Sequence, residues 1–155
     1  MTPAINSLKK AKIEYQIHQY HHDTNSKAYG KEAAEKLNIS FSRLFKTLII
    51  LVDDKDLCVA VVPVSKQLDL KVFANVIKAK KAKMADKKQV ERSTGYLLGG
   101  ISPLGQKKKL KTIIDNSVLK FDTIYVSAGR RGLQVELSPK DLCSQTDAVY
   151  FEISK

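Results

Sequence analysis

The chain has 155 residues, 43% of them hydrophobic and 28% charged, an ordinary globular composition with enough length to bury a real core. Lys and Arg number 27 against 16 Asp and Glu, a net charge of +11, which favours polyanionic partners. No apolar run approaches the ~20 residues of a membrane helix, and the start lacks the apolar core of a signal peptide. With two cysteines outside any metal-ligand spacing, the expectation is a reduced, cytoplasmic protein without membrane contact, metal or other cofactor.

Thr2-Pro3 predicts an N-cap with proline at the first helical position, followed by a helical stripe at Ala4, Ile5, Leu8 and Ala11. Ile13, Tyr15 and Ile17 alternate as a strand does, His18 to Tyr29 is polar and predicted as loop, and a short helix is predicted from Glu32 to Leu37, after Gly30. Leu44 to Val52 and Leu57 to Val64 are apolar runs flanking Asp53-Asp54-Lys55-Asp56, the pattern of a hairpin of buried strands. Leu68 to Ala79 has helical spacing, and Asp86 caps a further helix that carries Val90 and ends before Gly95. Phe121 to Ser127 and Leu133 to Leu137 read as strands joined through residues 128–132. Ser138-Pro139 opens a short helix, and Ala148 to Ile153 alternates once more. Strands outnumber crossover helices. The expected fold is therefore mixed α/β (α+β), with a central mixed, largely antiparallel sheet or partly closed barrel and flanking helices, in a single domain over 1–155. No GxGxxG, P-loop or zinc motif is present.

Ser93 to Lys111 is the most informative stretch. Gly95, Gly99, Gly100 and Gly105 punctuate an apolar segment that runs into Lys107, Lys108, Lys109 and Lys111. Glycine permits close backbone approach, so bare N–H groups are available to a carbonyl or phosphate beside a basic rim. That combination suits a small reacting end on a polyanionic body, such as an aminoacylated RNA; the alternative is a glycine-rich turn followed by a solvated charge run. Arg130 and Arg131, with lysines at 78–88, add further positive clusters along the chain.

Lys46 is the strongest candidate for chemistry. It lies in Leu44–Val52, where strand periodicity puts it on one face with Leu48, Ile50 and Val52. A lysine there loses hydration and needs a partner, a cavity or a route to water. It can serve proton transfer, oxyanion stabilisation or grip on a terminal nucleotide, or its stem simply packs while its ammonium reaches solvent. Tyr20 ends a strand and is either a hydroxyl facing a cleft or a packing residue, Thr47 points to the face opposite Lys46 with its N–H at the rim, and Ser127 is either a ligand hydroxyl or a turn residue. His18, His21, His22 and Asp23 fit no zinc pattern, and Cys58 reads as an inert core thiol. No protein nucleophile emerges.

These residues carry a resemblance. MTPAI at the start, EAAEKL at 32–37, FKTL at 45–48, QLDLK at 67–71, STGYLLGGISPLGQKKK at 93–109 and TIYVSAGRRGL at 123–133 span nearly the whole chain. Together they are similar to the YbaK-type Cys-tRNA(Pro) deacylases, free-standing relatives of the insertion editing domain of prolyl-tRNA synthetases. The resemblance implies a trans-editing deacylase acting on Cys-tRNA(Pro), and on Cys-tRNA(Cys) as a further substrate, with a transient complex with prolyl-tRNA synthetase. It implies that Lys46 is the essential lysine and that Tyr20, Thr47, Gly99 and Ser127 line the substrate pocket. It also implies cleavage by the substrate's own thiol, which releases a cyclic thiolactone. Gly100 joins Gly99 as a candidate oxyanion donor, and Lys107, Lys108, Lys109, Arg130 and Arg131 are the expected tRNA contacts. Ala128 stands where many relatives have glycine. Two alternatives stay open: an editing deacylase for Ala-tRNA(Pro), and a non-catalytic tRNA-binding module.

Overall fold

A computed structural model describes residues 1–155. The helices are α1 Pro3–Lys10, α2 Tyr29–Lys36, α3 Leu70–Ile77, α4 Lys87–Thr94 and α5 Pro139–Thr146, with one 3-10 turn at Asn116–Lys120. The strands are β1 Gln16–Gln19, β2 Phe45–Val52, β3 Asp56–Pro63, β4 Ala82–Met84, β5 Lys111–Asp115, β6 Ile124–Arg130, β7 Leu133–Leu137 and β8 Val149–Phe151. They form two sheets, β4-β2-β3-β5-β8 and β1-β7-β6. The mixed α/β class holds, and pairing is largely antiparallel, with only β3-β5 and β5-β8 parallel.

Two sheets stand where one was expected, and neither closes into a barrel. Their strands pair at a single parallel bridge, Leu44–Tyr125, where the Tyr125 N–H donates to the Arg43 carbonyl at 3.2 Å. The ladder stops there, and β6 bulges between Ser127 and Arg130, which turns it away from β2. The gap left at this edge is where the candidate site forms.

Both faces of the five-stranded sheet are covered, which is why β2 and β3 read as continuous apolar runs. On one face Phe45, Ile49, Val59, Val61 and Ile114 pack with Ala4, Ile5 and Leu8 of α1 and with Ile124, Val126, Leu133 and Val135 of the smaller sheet. On the other, Ile50, Val52, Ala60, Val62 and Ile113 pack against Phe73 of α3. Phe73 is fully buried, worth roughly 1.5–3 kcal/mol. Thr2 caps α1 as expected: its Oγ1 accepts the Ile5 N–H at 3.2 Å and donates to the Ala128 carbonyl at 2.5 Å, tying the helix to the β6 bulge. Asp86 and Gln89 form a reciprocal capping box on α4, and Gly95 ends that helix at φ +81°.

Several boundaries differ from the sequence reading. α2 starts at Tyr29, not at Glu32, so Gly30 lies inside it; a Cβ there would meet Val64 Cγ2 at 2.7 Å, so the glycine serves helix–sheet approach. β1 is later and shorter than the Ile13–Ile17 alternation, because Ile13 and Tyr15 pack against the core from the loop before it. β4 and β5 were unforeseen: each begins within or beside a lysine cluster that masks its apolar residues.

Candidate active site

The cavity at the β2–β6 opening has a volume of about 290 Å³. Tyr20, Lys46, Thr47, Gly99, Ser127 and Gln134 bring polar groups to it, against apolar walls from Leu44, Phe45, Leu48, Leu98 and Ile101. Tyr20, Lys46, Thr47, Gly99 and Ser127, far apart in the chain and singled out from sequence, thus meet in one place.

The pairing of β2 explains why its residues are usable. The Val64 N–H bonds to the Leu44 carbonyl, which assigns the backbone groups of Leu44, Lys46 and Leu48 to β3 and turns those of Phe45 and Thr47 to the opposite side. Beyond the Leu44–Tyr125 bridge no strand meets that side until β4 pairs at Ile50. The Thr47 N–H therefore opens on the cavity. Thr47 Oγ1 is also buried and has no hydrogen-bond partner.

Lys46 lies at the open end of the β2 face that carries Leu48, Ile50 and Val52 against α3. It is half-buried, and burial pushes its pKa below the ordinary lysine value; the neighbouring charge acting on it is a second cation, Lys31, which pushes the same way. A cation held under those conditions is available to a ligand's negative charge.

Ser127 and Gln134 face each other across the β6–β7 pair. The Ser127 hydroxyl accepts the Gly129 N–H at 3.2 Å, so it serves the turn as well as lining the cavity. Gln134 is 6% exposed and its Oε1 has no partner. Sequence reasoning missed it; the signal was the β6–β7 hairpin, whose register sets Gln134 opposite Ser127. Burial raises the Tyr20 phenol pKa; the Gly132 backbone opposes that rise and Glu32 adds to it. His18 is held instead by Glu136, Nε2 to Oε1 at 2.9 Å. Arg43 reaches the other Glu136 oxygen at 3.3 Å and the Thr123 carbonyl at 2.8 Å, pinning the turn that leads into β2.

The glycine pair divides. Gly99 lines the cavity at φ +91°, with no room for a side chain against Arg131 Nε. The Gly100 N–H is spent on the Leu97 carbonyl at 3.0 Å, and a Cβ on Gly100 would meet Arg130 Cα at 2.6 Å. Gly100 is therefore a packing glycine facing a neighbouring groove, and its N–H is not free for the oxyanion role expected of it. The lysine run is also elsewhere. Lys108 and Lys109 line a separate cavity of about 230 Å³, Lys109 pairs with Asp147, and the Lys107 N–H bonds to the Thr94 carbonyl at 2.9 Å. Arg130 and Arg131 border a groove that shares Tyr29 and Leu98 with the active-site cavity.

Residues 24–144 match the sequence profile of the aminoacyl-tRNA editing domain. A protein of Enterococcus faecalis (strain ATCC 700802 / V583), provisionally named Cys-tRNA(Pro)/Cys-tRNA(Cys) deacylase EbsC, is 35% identical over 153 residues, covering 99% of this chain and 93% of its own. A proline–tRNA ligase of Sulfurihydrogenibium sp. (strain YO3AOP1) is 32% identical over 101 residues, 65% of this chain but 17% of the ligase. Among solved structures, one provisionally described as a trans-editing enzyme for prolyl tRNA synthetase superposes with a TM-score of 0.84 at 19% identity, covering 100% of this chain and 99% of its own. At that identity the likeness bears on fold. The profile match and the full-length relative together establish that this chain belongs to the aminoacyl-tRNA editing domain family.

Proposed function

We propose that this chain is a trans-editing deacylase that removes cysteine from mischarged Cys-tRNA(Pro), and from Cys-tRNA(Cys), through the cavity at the β2–β6 opening. One observation carries the mechanism: no histidine, carboxylate or cysteine is among the residues lining the cavity. The site has donors and a cation but no general base paired to a nucleophile. The attacking atom then comes with the substrate. The cysteine thiol adds to its own ester carbonyl, the C–S bond forms, the C–O bond to the ribose breaks, and the ribose oxygen takes the proton the thiol gives up. The products are deacylated tRNA and a cyclic thiolactone, which water opens afterwards.

Closing a four-membered ring is strained, so the chain's part is to hold the reactive pose and stabilise charge. The N–H groups of Thr47 and Gly99 and the Thr47 hydroxyl are aimed at the oxyanion. The Lys46 ammonium holds the terminal ribose and phosphate or adds to the positive potential, and Ser127, Gln134 and Tyr20 orient the amino acid. The apolar walls admit a side chain of cysteine's size. Cysteine and proline are too alike for one size-selective site to separate, which is why a second hydrolytic site is useful. The setting we propose is the cytoplasm, within a transient complex with prolyl-tRNA synthetase.

The test is a panel of tRNA(Pro) charged with cysteine, serine, alanine or proline. Cys-tRNA(Pro) is expected to be cleaved far faster than the rest. Equal rates for cysteine and serine would point to attack by water. Preference for alanine would reassign the substrate, and binding without cleavage would leave a tRNA-binding module.

A further inference from the structure

Beside the active-site cavity runs a wider groove of about 770 Å³ that shares its Tyr29 and Leu98 walls. Lys87, Arg130 and Arg131 line it. Arg131 is committed: its guanidinium lies 4.0 Å over the Tyr29 ring and bonds to the Tyr29 hydroxyl, forming part of the partition between groove and cavity. Lys87 and Arg130 have no such commitment. The groove's carboxylate, Glu91, accepts the Leu98 N–H at 3.1 Å and makes no ion pair with either of them. On the same lip stand Leu97, 73% exposed, and Leu98, 43% exposed, large apolar side chains in the middle of a basic surface.

A cavity of about 290 Å³ sits at the small end of ligand pockets, enough for an aminoacylated ribose but not for the chain behind it. The edge shared with the groove gives that chain a way out. Unpaired cations beside exposed apolar surface are what single-stranded nucleic acid takes, phosphates on the cations and base faces on the apolar side chains. Resting on the deacylase reading above, we propose that this groove is the binding track for the unpaired nucleotides that precede the terminal adenosine, with Arg130 and Lys87 on their phosphates and Leu97 and Leu98 under their bases. Arg131 and Tyr29 then mark the step where the last nucleotide turns into the cavity.

The experiment compares cysteinyl-adenosine, which has no phosphate, with a cysteinyl-CCA trinucleotide, using wild type, Arg130→Ala, Lys87→Ala and the double variant. The readout is the ratio of kcat/KM for the trinucleotide to that for the nucleoside. The ratio should fall about tenfold for each cation removed, and the salt slope for the trinucleotide should flatten by about 0.7 per lost phosphate contact. Leu97→Ser should lower the same ratio less, without flattening the slope. Charge reversal, Arg130→Glu, should lower it further than alanine does. A ratio equal to wild type in the double variant overturns the groove and leaves the deacylase reading intact. Failure of the wild type to cleave any cysteinyl ester overturns the deacylase reading, and the groove with it.

Discussion

Thr47 combines a buried hydroxyl without a partner and a ladder N–H turned toward an opening instead of a strand. Unpaired buried polar atoms cost stability, so their retention points to a ligand that satisfies them. Thr47→Val should leave the melting temperature unchanged or raised while kcat/KM on Cys-tRNA(Pro) falls about tenfold, one hydrogen bond's worth; a destabilised but fully active variant would contradict this. Lys46 permits a pH argument. Burial and Lys31 hold its pKa below 10.5, so activity that needs the ammonium should decline on the alkaline side before an ordinary lysine would titrate. Residual activity in Lys46→Arg should lack that limb, since a guanidinium does not deprotonate in this range. Matching alkaline profiles in the two proteins would show that the limb belongs to another group. Lys46 was legible in the sequence because a lysine inside an apolar strand has few uses. Gln134 was not, because its role depends on its cross-strand partner, and Gly100 misled because neighbouring glycines look alike until one N–H is seen to close a turn.

Among elements, the C-terminal segment is held by backbone bonds to residues 67–69 and by one buried carboxylate. Asp115 Oδ1 accepts the Ile153 and Ser154 N–H groups at 3.0 and 3.1 Å, and Oδ2 accepts from the Ser117 hydroxyl at 2.5 Å. Burial pushes the Asp115 pKa up, but these hydrogen bonds outweigh it and hold it below 3.8. A carboxyl depressed in the folded state stabilises above its unfolded pKa, and loses that contribution as pH falls through the folded value. Asp115→Ala should cost about 2–4 kcal/mol at neutral pH by leaving buried donors unpaired. The gap between wild type and Asp115→Asn, read from urea midpoints, should narrow below pH 3.8. A gap that stayed constant into acid would mean the charge is not what matters. Tyr96 works at the other extreme: its hydroxyl donates to the Leu104 carbonyl at 2.5 Å and burial pushes its pKa up to about 12. The stability this gives is complete below the unfolded value near 10 and drains as pH rises toward 12. Tyr96→Phe should therefore be the less stable protein at neutral pH and should lose less between pH 10 and 12. Helix starts with a proline or a capping aspartate were readable because they are local chemistry. β4 and β5 were not, since short strands beside lysine clusters owe their existence to the strands they pair with.

For the whole molecule, the net charge of +11 is spread unevenly in its usefulness. Lys81 and Lys83 share Asp54, and Lys109 faces Asp147, whereas Lys87 and Arg130 line the groove beside the cavity without an ion pair. The logarithm of the affinity for tRNA should fall linearly with log salt; a salt-independent affinity would deny the basic surface its part. The sequence located the polar residues of the cavity by type and pointed to a polyanionic partner by charge. It did not show that the smaller sheet stops short of β2, and that interruption creates the site by freeing one strand edge. On the proposed mechanism, the Lys46 ammonium in this gap is required for ester cleavage and dispensable for folding. Single-turnover deacylation of Cys-tRNA(Pro) by Lys46→Ala beside wild type tests it most directly: the expected result is a rate lowered by at least about 10²-fold with melting unchanged, and a variant that cleaves at the wild-type rate would contradict it.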